Sequence, residues 1–519
     1  MPEKRKLREE LAQLLREYGA VLTGLIILQL VVYSYFFTGL IFTNHTFPNS
    51  WVLSYPSYRT RGEGRWLADL IVSLQGGSGV QPFQMAVAVV IQAVNGIAFA
   101  RLVGLERRLE VALSAAFICL YPAFLDNYSF GMDHVTFGVA DAFALAGALC
   151  LKRLLPSLKS ALIVAFLFVL GIASYQPKIA FVGLLCICYL VMRIAGDGIV
   201  YPFALKEAAK EIGYVSSILF GAILVYFVSM KLSVTDDAGV RAHLNSVSDI
   251  IRQVPESYKQ FFRYFTRDAD YLPDWIQLLP VLTILLGCVL LLVGAHRRHI
   301  VALALTVMLV LLIPVVLRAS YLINSNTWEN AGRITFVNGY AFLFFLSQGF
   351  QVAGLRKFVA GLFGIFLYFF VIVGTQEANS AALKTVYDLN MINRIAARIE
   401  TNVSDLYVKQ HALVVVGRYP PFPRPKYARY GNGYENFNKR IHVQTDAFEP
   451  YRQTEILNFF LGREVLRRPT PLQREKALAS IGRRQPWPSS DAVYAMDDVI
   501  LVLLEPFDAN VARTWTTEQ

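Results

Sequence analysis

The sequence predicts an all-α polytopic membrane protein carrying a small C-terminal α/β domain outside the membrane. Three observations predict it. Between Val21 and Gly374 the chain holds eleven apolar segments, most of them near the roughly 20 residues a helix needs to cross a bilayer. Basic loops recur after every second segment. Beyond Gln376 the apolar runs shorten while charge, Pro and Gly rise. The 519 residues are 55% hydrophobic with a mean hydropathy of +0.43, above the range of soluble chains.

In order, the segments span 19–43, 82–104, 111–125, 134–151, 159–174, 178–194, 211–230, 274–294, 299–317, 334–353 and 358–375. Helices are expected, because only a helix satisfies its own backbone hydrogen bonds in lipid. Two segments are short enough to be tilted, kinked or re-entrant, so about eleven spans are expected. Orientation follows from MPEKRKLREE at the start and from LERRLE (105–110), LKRLLPSLK (151–159), the stretch 193–210, AHRRH (295–299) and GLRK (354–357). Short basic loops stay in the cytoplasm, which puts the N-terminus inside. Loops 44–81, 126–133, 175–177, 231–273 and 318–333 then lie outside, as does the tail from Gln376. The first segment is too long for a signal peptide and lacks a small-residue cleavage site, so it reads as an uncleaved anchor. The domains are a transmembrane domain over 1–375 and an extracytoplasmic domain over 376–519.

The net charge of +11 reads as orientation and contact with lipid headgroups. No basic block interleaved with aromatics points to nucleic acid. Cys119, Cys150, Cys186, Cys188 and Cys288 all fall in predicted membrane helices, which argues against a disulfide framework and a Cys-based metal site. Seven scattered histidines without an H-x-x-x-H pair give a zinc site little support. No Walker or dinucleotide glycine pattern appears, so neither a metal nor a nucleotide cofactor is expected.

In the tail, LKTVYDLNMINRIAARIE (383–400) has helical spacing and reads as a helix leaving the membrane. ALVVV (412–416) and VILVLLE (499–505) read as strands able to pair. Between them lie loop chemistry at 418–437 and a helix near 451–462. The tail suits either a packed lid or a grip on a carbohydrate or headgroup.

Candidate chemistry sits in the outer loops. In loop one Trp66, Leu67, Leu70, Ile71 and Leu74 share one helical face and Arg65, Asp69 and Ser73 the other, the pattern of an interfacial helix. Arg65 and Asp69 form either a surface i,i+4 pair or, with Glu63, a polar site at the membrane surface. In YPAFLDNYSFGMDHVTFGVAD (121–141), Asp126 and Asp133 flank an aromatic turn and His134 follows. Asp126 reads as a helix-end residue or an acid of the site, and Asp133 as an N-cap or a catalytic carboxylate. Asp141 lies eight residues into the next helix, about 12 Å deep at ~1.5 Å per residue. A carboxylate there costs about 2.5–3.5 kcal/mol on insertion scales, so a partner or polar cavity is expected. Lys178 follows Pro177 at a predicted helix start, a place suited to phosphate or to headgroup snorkelling. Arg333 repeats that logic before the tenth segment.

GEGRWLADLI (62–71), YPAFLDNYSFGMDHV (121–135) and SYQPKIAF (174–181), in this order, resemble the bacterial GtrII-type glucosyltransferase family, polytopic enzymes of GT-C architecture. That family usually carries an acidic pair and an Arg before its GR motif. Here the stretch reads YPSYRTRGEGRW (55–66), with Arg59 in the place of the Arg and no acidic pair. The resemblance implies a hexosyltransferase of the bacterial inner membrane. It would move a sugar, expected to be glucose, from a polyprenyl-phosphate carrier to a surface glycan such as O-antigen or lipopolysaccharide. The lipid-linked sugar is then a substrate and no cofactor is required. A carboxylate takes the acceptor proton, with Asp133 ranked first, Glu63 second, and Asp69 and Asp126 behind them. Arg59, Arg65, Lys178 and Arg333 are expected at the donor phosphate. Tyr175, Gln176 and Asp141 are expected to line the substrate cavity. Two other classes stay open, an O-antigen polymerase or ligase and a lipid-linked-glycan transporter or flippase. A transporter should show repeated halves with broken helices, and the sequence shows no internal repeat.

Overall fold

A computed structural model describes residues 2–38, 58–75, 83–128, 133–195, 204–235, 245–268, 272–323, 332–418, 448 and 453–506. The chain divides into two compact units, which among the described residues part between Ala378 and Asn379.

The first unit is helical. Its elements are α1 (Pro2–Val32), α2 (Ser34–Thr38), α3 (Tyr58–Glu63), α4 (Trp66–Leu74), α5 (Phe83–Leu102), α6 (Arg108–Leu120), α7 (Leu125–Tyr128), α8 (His134–Arg153) and α9 (Leu158–Ser174). They continue with α10 (Lys178–Ala195), α11 (Ala204–Ser233), α12 (Val247–Arg263), α13 (Leu279–Arg298), α14 (Ile300–Leu317), α15 (Ala319–Ile323), α16 (Gly332–Ser347) and α17 (Arg356–Asn402). Among the described residues seven helices are long and apolar enough to cross a membrane, namely α5, α8, α10, α11, α13, α14 and α17. The other expected spans fall on α9, which is apolar but shorter, and on α1, α6 and α16. Segments 358–375 and 383–400 lie on one 47-residue helix, α17. The loop 231–273 contains α12, whose first turn is held by Ser246 Oγ accepting from the Asp249 amide at 3.2 Å.

Polar contacts bring three of the basic loops, 105–110, 151–159 and 354–357, to one end of the bundle. Lys152 donates to the last carbonyls of α5, Arg101 at 2.7 Å and Leu102 at 3.0 Å. A cation at a helix C-terminus is favoured by the free carbonyls there. Arg356 pairs with Glu110 at 3.6 Å, joining loops 105–110 and 354–357. Aromatic rings fill the bundle where α6, α16 and α17 meet. Phe117 lies 5.4 Å from Phe342, 5.9 Å from Phe363 and 4.9 Å from Phe370, all edge to face, the arrangement the ring quadrupole prefers. At Gly171 in α9 a Cβ would come within 3.1 Å of the Ala140 carbonyl, so glycine lets α8 and α9 touch.

In the second unit β1 (His411–Val416), β2 (Leu466–Arg467), β3 (Val493–Met496) and β4 (Val499–Leu503) form a sheet in the order β2-β1-β4-β3. The two strands read from sequence, β1 and β4, pair in parallel with Ala412 opposite Val499. Ile500 and Val502 pack with Ile392, Ile395 and Ile399 of α17 and with Leu457 of α18 (Gln453–Phe460). Val499, Leu501 and Leu503 pack on the other face with Ala477 of α19 (Pro471–Ala479). The period-2 alternation of a strand explains the split, and a largely parallel sheet needs both faces covered. Stretch 419–447, which holds the Pro-, Arg- and Tyr-rich loop, lies outside the described residues.

Candidate functional site

The site forms where three motifs far apart in sequence meet. Gly64 ends α3 with a φ of +70°, a conformation glycine adopts without the Cβ penalty. The turn puts Arg65 at the N-cap position of α4. The Tyr226 hydroxyl of α11 lies 3.5 Å from the Gly64 carbonyl, and Trp66 Nε1 donates to Ser229 Oγ at 3.2 Å. Inside the turn Asp69 accepts from the Thr60 amide at 2.6 Å and from the Thr60 hydroxyl.

Arg65 is the hub. Its guanidinium pairs with Glu63 at 2.9 Å, donates through Nε to Gln176 Oε1 at 2.5 Å, and lies 4.8 Å from the Tyr175 ring centroid. The Gln176 amide in turn donates to the Glu63 carbonyl. Burial alone would lower the Arg65 pKa, but Glu63, Tyr175, Asp133 and Tyr226 outweigh it and raise it above the ordinary guanidinium value. Arg65 is therefore a permanent cation, 23% exposed beside a Glu63 side chain only 7% exposed. Contacts from Gln176, Tyr175 and Glu63 fix its position.

Asp133 supplies the facing acid. It occupies the N-cap position of α8, yet its side chain makes no capping hydrogen bond. The capping alternative thus lacks its contact, and the half-buried Asp133 at the start of α8 is within electrostatic reach of Arg65. Beside it His134 Nδ1 lies 2.6 Å from the Asn127 carbonyl.

Two expectations need correction. The single apolar face read for α4 and the surface pair between Arg65 and Asp69 do not form: Leu67, Ala68, Asp69, Ile71 and Val72 are buried while Leu70 and Leu74 are 52% and 80% exposed. Asp69 turns inward because it holds the Thr60 amide, and Arg65 pairs with Glu63 in place of the i,i+4 contact. Lys178 was expected at the interface, open to phosphate. Instead it is fully buried, with Nζ 2.7 Å from Asp141 and 3.6 Å from the Phe336 ring centroid. Asp141 has thereby the partner its depth required, and that partner is protein.

Of the expected site residues, the structure brings Glu63, Arg65, Tyr175, Gln176 and Asp133 together. Asp69 braces them from the adjoining turn, and Asp141 with Lys178 forms a separate pair. Arg59 lies on α3, Asp126 on α7 and Arg333 in the first turn of α16; their side chains lie outside the described residues. Sequence reasoning missed Thr60, Tyr226, Ser229 and Phe336. Only Trp66 hinted at a partner, through a polar indole N–H on an otherwise apolar face. Among the described residues no group of three or more His, Cys, Asp or Glu is placed to hold a metal.

The class these features define is a helical membrane protein with a cation–carboxylate site at the end of its bundle away from the clustered basic loops. The family model described as Glucosyl transferase GtrII matches residues 52–347. That is more than half of the chain, and the protein belongs to this glucosyltransferase family. It is a glycosyltransferase, and the matched range includes every expected site residue from Arg59 to Arg333. No curated protein and no solved structure matches the chain.

Proposed function

We propose that the protein transfers glucose from a polyprenyl-phosphate carrier to a surface glycan of the O-antigen or lipopolysaccharide type, at the outer face of the bacterial inner membrane. The observation that carries this reading is Arg65, a permanent cation held by Glu63, Gln176 and Tyr175 beside the N-terminal end of α8. In the transfer the bond between the sugar anomeric carbon and the lipid phosphate oxygen breaks. A bond from that carbon to an acceptor hydroxyl oxygen forms, and the hydroxyl proton passes to a carboxylate. The phosphate leaves with added negative charge, which a guanidinium neutralises as it develops. Arg65 takes that role, with Arg59 of α3 and Arg333 of α16 proposed as further cations. Asp133 is the base, standing at the positive end of α8, a place that suits a carboxylate. Glu63 stands second, since its pairing with Arg65 weakens it as a proton acceptor. Tyr175 and Gln176 line the proposed substrate cavity through their hold on Arg65, Asp126 is a further acid there, and Asp69 braces the turn through Thr60. The second unit lies outside the membrane on the acceptor side, and the N-terminus lies in the cytoplasm.

Reconstitution into nanodiscs with a polyprenyl-phosphoglucose donor tests the reading. Wild-type protein is expected to label the acceptor from the lipid-linked donor and not from a nucleotide sugar. Arg65→Ala is expected to lower kcat/KM for the donor about 10- to 100-fold, the worth of a charge-assisted hydrogen bond. Transfer from the nucleotide sugar alone, or an Arg65→Ala protein with unchanged donor kinetics, overturns it.

A further inference from the structure

The buried Asp141–Lys178 pair has no place in the chemistry above, and its position says what it is for. Asp133, Phe137 and Asp141 follow one another at intervals of four along α8, so they share one face. The Phe137 amide donates to the Asp133 carbonyl at 2.9 Å, which keeps Asp133 in helical register with the rest. This face meets the turn between α9 and α10 residue by residue. The Phe137 ring lies edge-on to Tyr175 at 4.8 Å, and Asp141 pairs with Lys178 at 2.7 Å. Between those two contacts lies Gln176, whose side chain holds both Arg65 and the Glu63 carbonyl. The turn is wound tightly onto α10. The Lys178 amide donates to the Tyr175 carbonyl at 2.9 Å, that of Ile179 to Gln176 at 3.0 Å, and that of Ala180 to Pro177 at 3.2 Å. A shift of Lys178 therefore moves Gln176 and Tyr175 with it.

We propose that Asp141 and Lys178 are positioning residues, a buried ion pair that locks the start of α10 to α8 and so fixes the Tyr175–Gln176 turn that aims Arg65. A hydrophobic contact at this depth would hold the helices together but leave their register loose. A charged pair in a low-dielectric interior has one satisfactory geometry, because a slip leaves two buried charges without partners. Phe336 of α16 closes the remaining side of the ammonium, 3.6 Å from its ring centroid. Lys178 thus contributes to donor handling without touching the donor. The inference rests on the reading of Arg65 given above.

Removing one charge alone leaves the other buried and is expected to lower the folded yield, so the working probe is the apolar pair Asp141→Val with Lys178→Met. Such replacements keep buried sites folded. In nanodiscs this double variant is expected to lose about 10-fold or more in kcat, the scale of a misplaced catalytic group. In an Arg65→Ala background the same double change is expected to cost less than about 2-fold, because the group it positions is already gone. An equal loss in both backgrounds, or wild-type kcat in the folded double variant, overturns the proposal. Hydrogen–deuterium exchange of the full chain gives a readout that needs no turnover. Amides 64–69 and 178–180 are expected to exchange faster in the double variant while α13 and α14 keep their wild-type rates, and unchanged exchange at 64–69 overturns the proposal. Should wild-type protein transfer nothing from the lipid-linked donor, the functional reading falls and the exchange result alone decides this one.

Discussion

Gly64→Ala puts the geometry around Arg65 under direct strain. A Cβ built at Gly64 would lie 2.3 Å from Met230 Cγ, 3.2 Å from Met230 Cβ and 3.4 Å from Met230 Cα, on a backbone whose φ is +70°. Holding a left-handed conformation costs an alanine about 1–2 kcal/mol. Relieving the collision costs a further ~1–3 kcal/mol, because the colliding atom, Met230 Cγ, hangs directly on a Cβ that is itself 3.2 Å away, so it has little room to swing aside while a methionine is present. Together the substitution is expected to destabilise the protein by about 2–5 kcal/mol. Part of the strain is expected to be shed by moving the neighbouring Arg65 off Gln176, so turnover falls along with stability. The assay is a thermal midpoint and a transfer rate on purified protein, measured for Gly64→Ala, Met230→Ala and the double variant. The double variant is expected to recover the collision part, a coupling of about 1–3 kcal/mol, and to keep the left-handed cost. A Gly64→Ala protein with wild-type midpoint and rate, or with no coupling to Met230, refutes the reasoning.

Arg65→Lys keeps the charge but loses the planar fork that reaches Glu63 and Gln176 together, so donor kcat/KM is expected to fall about 10-fold; equal kinetics would reduce Arg65 to a point charge. Glu63, Tyr175 and Asp133 raise the Arg65 pKa above its usual value, so its charge is present at every lower pH and lost only above it. Donor KM is accordingly expected to stay flat from about pH 7 to about pH 10, and a rise in that window would move the phosphate-binding role to another group. For sidedness, Ser73→Cys and Ser490→Cys are expected to react with an impermeant thiol reagent in intact cells, and Lys159→Cys only after lysis. The opposite pattern would reverse the orientation.

Much of the bundle was legible because lipid makes the sequence rule simple. Every apolar segment overlaps a helix, since a helix is what an apolar run must form there. Strands β1 and β4 were legible from runs such as Leu413–Val416 and Val499–Leu503, dense in β-branched side chains. The short strands β2 and β3 were not, because Leu466–Arg467 and Val493–Met496 are strands only by pairing with β1 and β4. The facing of α4 was misjudged for a physical reason. Apolar residues on a helix point inward when water is the solvent, but beside a membrane Leu70 and Leu74 can face lipid while Asp69 turns in to Thr60. Lys178 was misjudged because a helix start looks the same from sequence whether it opens to solvent or is sealed by Asp141 and Phe336. The partners that build the site, Arg65 with Gln176 and Trp66 with Ser229, are 111 and 163 residues apart, and no local pattern reports such pairs.

The central claim is that the carboxylate facing Arg65 takes the acceptor proton, and Asp133 tests it most directly. Asn at this position keeps the shape and removes the charge. The Asp133 side chain makes no capping hydrogen bond, so neither Asp133→Asn nor Asp133→Ala is expected to show the loss of about 1 kcal/mol that a broken cap would bring. Single-turnover transfer from donor-loaded protein is expected to fall about 10²-fold or more in both. An Asp133→Asn protein that turns over at the wild-type rate would contradict the account and shift the base to Glu63.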